Sequence, residues 1–192
     1  MAKQDSTSIN LEALSERIGA DKAPGTAPKW DFSPDDCATF DIRIGRDGTW
    51  YHQGGPIRRK NMCKLFSTVL RRSKDGRYFL ITPVEKGEIS VDDAPFTAVE
   101  IIVDGHGRDQ TLTFRTNLDH LVVADASHPI RVSEDLETGE PSPYILVRDE
   151  LEALILRPQF YQLVEIAEEF DINGKTTLGV WSAGHFFELG AA

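Results

Sequence analysis

The feature that most constrains this chain is a period of two. From residue 40 onward, apolar residues recur at alternate positions in short runs, and turn-forming residues separate the runs. Phe40, Ile42 and Ile44 alternate with Asp41 and Arg43, the pattern of a strand buried on one face only. Arg46-Asp47-Gly48 predicts a hairpin, with Trp50-Tyr51-His52 as the return strand and Gly54-Gly55-Pro56 as its end. Residues 58–70 follow a different period. Met62, Leu65, Phe66, Val69 and Leu70 recur at three and four, which predicts a helix with one apolar stripe. Asp75-Gly76 turns the chain into a strand at 78–81, and further strands are expected at 88–91, 96–103, 111–115 and 120–124.

The second half reads in the same order. Ile130-Arg131-Val132 echoes Ile42-Arg43-Ile44. A polar turn at 133–142 leads to a strand at 144–147, then a helical stretch at 148–170 interrupted at Pro158. Asn173-Gly174 leads to strands at 177–181 and 185–189. This repetition predicts an α+β fold made of two related ββαββ-type modules with mainly antiparallel sheets. The expected boundaries are 1–36 for an N-terminal helix and linker, 37–118 for the first module and 119–192 for the second. In the first segment Ile9, Leu11, Leu14 and Ile18 predict a short amphipathic helix stopping at Gly19. Residues 23–34 hold three prolines and read as a linker, pinned by Trp30 and Phe32.

Charge narrows the partners. The formal net charge is -10 and the pI about 4.9, so the chain as a whole repels extended nucleic acid and anionic membranes. No apolar run is long enough to span a bilayer, and residues 1–10 lack the apolar core of a signal peptide. A cytoplasmic location is expected. Cys37 and Cys63 form no CxxC and have no His at metal spacing. Two free thiols in a reducing compartment is the preferred reading, with a disulfide as the alternative.

Within the acidic chain, residues 41–80 carry 10 Lys/Arg against 3 Asp, leaving 11 bases and 28 acids elsewhere. A local basic patch on an acidic body suits a small anionic ligand better than a long polyanion. The plain alternative is a solvated helix face, or one paired with the acidic residues Glu150, Glu152, Glu165, Glu168 and Glu169. Residues 50–59 concentrate the useful chemistry: aromatic rings, a Gly-Gly-Pro turn and arginines at a helix start, where backbone N–H groups and guanidinium forks bind phosphate or carboxylate. The candidate ligand-binding residues are therefore Trp50, His52, Gly54, Gly55, Arg58 and Arg59. Arg115, His128, Arg131 and Tyr144 join them at a strand end and at matching positions of the second half. Arg58, Arg59 and Arg131 would neutralise phosphate, Trp50 or Tyr144 would stack on a base, and His52 and His128 would donate hydrogen bonds. As structural residues, Trp50 and Tyr51 would instead be core, and His128 a turn histidine.

Enzyme motifs are missing. GxSxG, Walker A, HExxH and GxGxxG do not occur, and Asp171-Ile172-Asn173-Gly174 lacks the distal Glu of a calcium loop. Asp92-Asp93 are adjacent and in extended chain face opposite ways. No catalytic, metal or cofactor residue is assigned.

Asp47 to His52, Pro56 to Arg59, Asp75 to Lys86, Val91 to Phe96, His128 to Val132 and Pro143 to Arg148, taken in order, resemble a bacterial domain-of-unknown-function family, number twelve-eighty-five of that series. The resemblance covers residues 35–190. It implies a duplicated α+β core whose C-terminal half is similar to a pleckstrin-homology fold, and it supplies no catalytic residues. It also brings the family's proposed role, a nucleotide-like ligand at the junction of the halves in second-messenger signalling. The leading expectation is thus a non-enzymatic regulatory protein binding a small anionic, nucleotide-derived ligand at that junction. The alternatives are a protein-interaction adaptor or homodimer, and then an enzyme using His52 with His128.

Overall fold

The computed structural model describes residues 6–7, 10–18, 37–82, 85–134, 139–172 and 174–191. It divides into two units, Met1–Asp93 and Ala94–Ala192.

The first unit contains β1 (Ser6–Thr7), α1 (Leu11–Ile18), β2 (Ala38–Ile44), β3 (Trp50–His52), β4 (Gly55–Pro56), α2 (Lys60–Thr68), β5 (Leu70–Arg72), β6 (Tyr78–Ile81) and β7 (Lys86–Val91). Its sheet runs β4-β3-β2-β7-β6-β5, with β1 parallel to the start of β2. The alternation predicted at 40–44 is real: Phe40, Ile42 and Ile44 are buried while Asp41 and Arg43 are exposed. The hairpin at Asp47-Gly48 forms with Gly48 at φ 79°, a value that glycine reaches without a Cβ clash. Asp47 closes it by accepting from the Thr49 N–H at 2.9 Å and the Thr49 hydroxyl at 2.8 Å. α2 lays Met62, Cys63 and Phe66 against the sheet, and Phe66 meets Trp50 with ring centroids 6.3 Å apart. Asn10 caps α1 through its side-chain oxygen, and Leu14 is buried beneath it.

The second unit contains β8 (Phe96–Asp104), a 3-10 turn (Gly107–Asp109), β9 (Thr111–Thr116), β10 (Leu121–Val123), β11 (Ile130–Glu134), β12 (Pro141–Arg148), β13 (Leu151–Ile155), α3 (Arg157–Glu165), β14 (Glu168–Ile172), β15 (Lys175–Ser182) and β16 (His185–Ala191). The main sheet runs β10-β9-β8-β13-β12-β11, and β14-β15-β16 form a separate sheet. The two six-strand orders are identical: an antiparallel three-strand meander, then a second one whose last strand returns parallel to the first strand of the first meander. The α+β class and the duplication therefore hold.

The register of the duplication differs from the sequence reading. β2 corresponds to β8, and β11, which carries the Ile130-Arg131-Val132 echo, corresponds to β5. Residues 96–116 belong at the centre of the second sheet, so the unit boundary falls at 93/94 and not at 118/119. What fixes it is the parallel pairing of Phe96–Ala98 with Ala153–Ile155, more than fifty residues away along the chain.

Of the helix expected at 148–170, only Arg157–Glu165 is helical, and the start and end of that stretch are strands. Asp149 and Glu150, at φ 41° and 59°, make a tight hairpin turn, and Leu151–Ile155 forms β13. Leu-Glu-Ala-Leu-Ile has helical propensity. Pairing on both edges and burial of Leu151, Ala153, Leu154 and Ile155 override it. Pro158 does not interrupt a helix. It sits in the first turn of α3, where its missing N–H removes no helical hydrogen bond. The linker at 23–34, Trp30, Phe32 and Gly19 lie outside the described residues.

Candidate functional site

β3 alternates, and this decides the fate of its aromatic residues. Trp50 faces inward and is 1% exposed. Both faces of its indole belong to the core, so it offers no stacking surface to a ligand. Tyr51 faces the other way and lies under the Arg43 guanidinium, 4.8 Å from its centroid. His52 shares the inner face with Trp50. Trp50 Nε1 and His52 Nε2 are both buried without a hydrogen-bond partner. Gln53 and Gly54, at φ 50° and 75°, form the tight turn into β4, and Gly54 and Gly55 are exposed.

The chain then passes from β4 into α2 along the sheet. The Ile57 N–H donates to the Trp50 carbonyl at 2.7 Å, which anchors the approach to the helix. Arg59 occupies the N-cap, yet no side chain caps this end and no acid stands in the first turn. The first N–H groups of a helix have no partner within it, so this end carries partial positive charge beside three cations, Arg58, Arg59 and Lys60. Arg59 Nη2 meets Glu12 of α1 at 2.5 Å. That hydrogen bond, with the guanidinium charge, lowers the Glu12 carboxyl below its ordinary value. Arg58 is exposed and has no ion-pair partner among the described residues. Burial pushes the Cys63 thiol up to about 11, so at neutral pH it is no nucleophile. Neither Cys37 nor Cys63 forms a disulfide among the described residues.

The four candidates in the second unit are committed within that unit. Arg115 pairs with Glu100 at 2.5 Å and Asp119 at 3.3 Å, hydrogen bonds that raise its already high pKa. Arg131 grips Glu152 with two nitrogens, at 2.5 and 2.6 Å, and lies 4.3 Å from the Tyr144 centroid. Tyr144 is 8% exposed beneath it, packed with Ala94 and Leu154, so it too is closed to a base. His128 Nδ1 meets Asp125 at 3.1 Å inside its own turn. Phosphate neutralisation by Arg131 and base stacking on Trp50 or Tyr144 would each require breaking a contact already made, whereas the Asp125 contact of His128 occupies its Nδ1 only.

Sequence reasoning placed the basic segment correctly but missed its partners. Asp92 pairs with Arg43 at 3.0 Å and Asp93 with Arg46 at 3.1 Å, so the adjacent acids hold one strand end. No metal-binding group of His, Cys, Asp and Glu occurs among the described residues. No described helix is long and apolar enough to cross a membrane.

Comparison with known proteins agrees with the division into two. The domain of unknown function DUF1285, N-terminal domain, matches residues 27–94, and the protein of unknown function DUF1285, C-terminal domain, matches residues 95–189. The crystal structure of a DUF1285 family protein from Silicibacter pomeroyi DSS-3 is 45% identical, with a TM-score of 0.81 over 95% of this chain and 96% of that one. A DUF1285 family protein from Shewanella baltica OS155 is 26% identical, with a TM-score of 0.51 over 68% of this chain and 93% of that one. No curated protein matches. With both domain models matched in order and a solved relative of the same extent, the chain belongs to the DUF1285 family.

Proposed function

We propose that this chain is a non-enzymatic regulatory protein that binds a small anionic, nucleotide-derived ligand, with the start of α2 as the end that holds the anion. The observation that carries this reading is Arg58, exposed and without an ion-pair partner among the described residues, at an uncapped helix N-terminus with no acid in its first turn. A phosphate there would accept from the first N–H groups of the helix and from the guanidinium fork. Arg59 is the second cation, and the ligand would exchange for the Glu12 carboxylate that Arg59 now holds. Gly54 and Gly55, exposed ahead of α2 in the chain, add no side chain of their own. Second-messenger signalling in a bacterial cytoplasm is the setting that fits such a ligand.

The test is a thermal-shift screen against mono-, di- and cyclic nucleotides, repeated with Arg58→Ala. A ligand that binds only the folded state raises the midpoint by mass action. A nucleotide-specific rise that vanishes in the variant supports the reading. No rise with any nucleotide sinks it.

A second reading, a homodimeric or adaptor protein, is favoured by one observation. Ile102 and Val123 both lie opposite Thr113 of β9, Leu121 lies opposite Arg115, and the three apolar side chains are 47%, 37% and 64% exposed. Sedimentation as a monomer across the working concentration range would remove the homodimer version.

A further inference from the structure

The molecule shows by repetition what a guanidinium does when a ring holds it. Arg43 lies 4.8 Å from the Tyr51 centroid, and its Nη1 reaches Asp92 at 3.0 Å. Arg77 lies 5.4 Å from the Phe79 centroid, and its Nε reaches Asp75 at 2.8 Å. Arg131 lies 4.3 Å from the Tyr144 centroid and grips Glu152. In each case the ring fixes the guanidinium and the N–H edge takes a carboxylate.

Arg108 has the first half of that arrangement twice. It lies 4.9 Å from the Trp181 centroid and 5.4 Å from that of Phe170. These rings and Phe186 form a triad with centroids 5.3, 5.0 and 5.2 Å apart. Along β15, Val180 and Ser182 are fully buried on the opposite face, and Trp181 between them is half-buried, as are Phe170 and Phe186. Phe186 reaches across Gly179, where a Cβ would stand 2.5 Å from its ring. The segment carrying Arg108 is fixed to this sheet. Gln110 Nε2 donates to the Trp181 carbonyl at 2.8 Å, and the Ala183 N–H donates to the Gln110 carbonyl at 3.0 Å. Arg108 is exposed, and among the described residues no carboxylate lies within ion-pair distance of it.

We propose that Arg108 and the Phe170–Trp181–Phe186 triad form a binding site for an aryl oxyanion. Its carboxylate or phosphate pairs with the Arg108 N–H edge, and its flat ring rests on the half-exposed triad. Both parts of the site belong to the second unit, and neither depends on the α2 reading.

The experiment follows the Trp181 indole N–H and the Arg108 Nε–H by NMR in the full chain. The titrants are phenyl phosphate, benzoate, inorganic phosphate and phenol. Phenyl phosphate against benzoate separates phosphate from carboxylate recognition. Phenyl phosphate or benzoate is expected to shift both signals and to bind about tenfold or more tightly than the ring-free anion or the anion-free ring, in line with one charge-assisted fork. Arg108→Ala, at an exposed position, should lose that margin with the fold intact, and Arg58→Ala should keep it. Equal binding of phenyl phosphate and inorganic phosphate overturns the proposal. So does unchanged binding in Arg108→Ala, the absence of any shift at the Trp181 indole, or loss of binding in Arg58→Ala, which would move the anion to α2.

Discussion

The two units of this chain share one strand order and cross from edge to edge in different ways. In the first, the chain leaves the edge strand β4 and reaches the opposite edge β5 through α2. In the second, only residues 124–129 join the edge strands β10 and β11. The His128 N–H donates to the Asp125 carbonyl at 3.2 Å, a turn that spans less than about 7 Å. The two links on either side of it add at most about 14 Å. Five flat strand spacings would require roughly 24 Å. That reach, about 21 Å at most, falls short of the flat width, so the second sheet has to curl. The hairpin of β15 and β16 helps hold that curl: the Ser182 hydroxyl donates to the Ala124 carbonyl at 2.7 Å and accepts from the Leu112 N–H at 2.9 Å. One topology is thus stabilised by a helix packed on its sheet in one unit and by a short turn with a hairpin in the other. The first solution leaves a helix N-terminus and its cations at the surface. The second commits its polar groups to closure, and His128 is among them.

Four measurements test how each unit is held together. Phe66→Ala removes the fully buried contact between α2 and β3 and should cost about 3–5 kcal/mol in denaturant unfolding, with faster amide exchange in β2–β7. Ser182→Ala leaves the Leu112 N–H and the Ala124 carbonyl without their buried partner, a loss of about 2–3 kcal/mol by the same assay. If Ser182→Ala proves the costlier of the two, α2 is not what holds the first sheet. Asp125→Ala deprives the Ser127 and His128 N–H groups and the His128 ring of their acceptor, at about 1 kcal/mol. An unchanged midpoint would show that the crossing turn holds without its carboxylate.

The smallest effect lies in the hairpin that opens the first unit. Hydrogen bonds from the Thr49 N–H and hydroxyl hold the Asp47 carboxyl below its ordinary value. A depressed folded pKa stabilises the native state above the unfolded pKa, and the contribution disappears as pH falls through the folded pKa. For this exposed group it is below about 1 kcal/mol. Asp47→Asn should flatten the acid limb of the stability curve slightly. An identical limb in the variant would mean that the turn does not need the charge.

Local features were legible in the sequence because their partners are close along the chain. The strand at 40–44, the hairpins at Asp47-Gly48 and Asp75-Gly76, and the apolar stripe of α2 each came within a few residues of their observed limits. The basic segment and Arg58 at the helix start were also readable, since charge and a helix N-terminus are local properties. Leu151–Ile155 was misread because five residues with helical propensity carry no sign of the strands that will flank them. The candidate site was only half legible for a related reason. A strand pattern says that a residue is inside or outside, but it does not say what meets it there.

What the sequence determined alone is the α+β class, the presence of a repeat, the turns and the location of the positive charge. All of these rest on backbone preference and side-chain periodicity within short windows. The tertiary structure decided the rest: the boundary at 93/94, the curl of the second sheet, the burial of Trp50 and Tyr144, and the pairing of Arg115, Arg131 and His128 with nearby acids. Each of these depends on contacts between segments far apart in the chain. Their free energy comes from joint burial and paired charge, which no single segment contains.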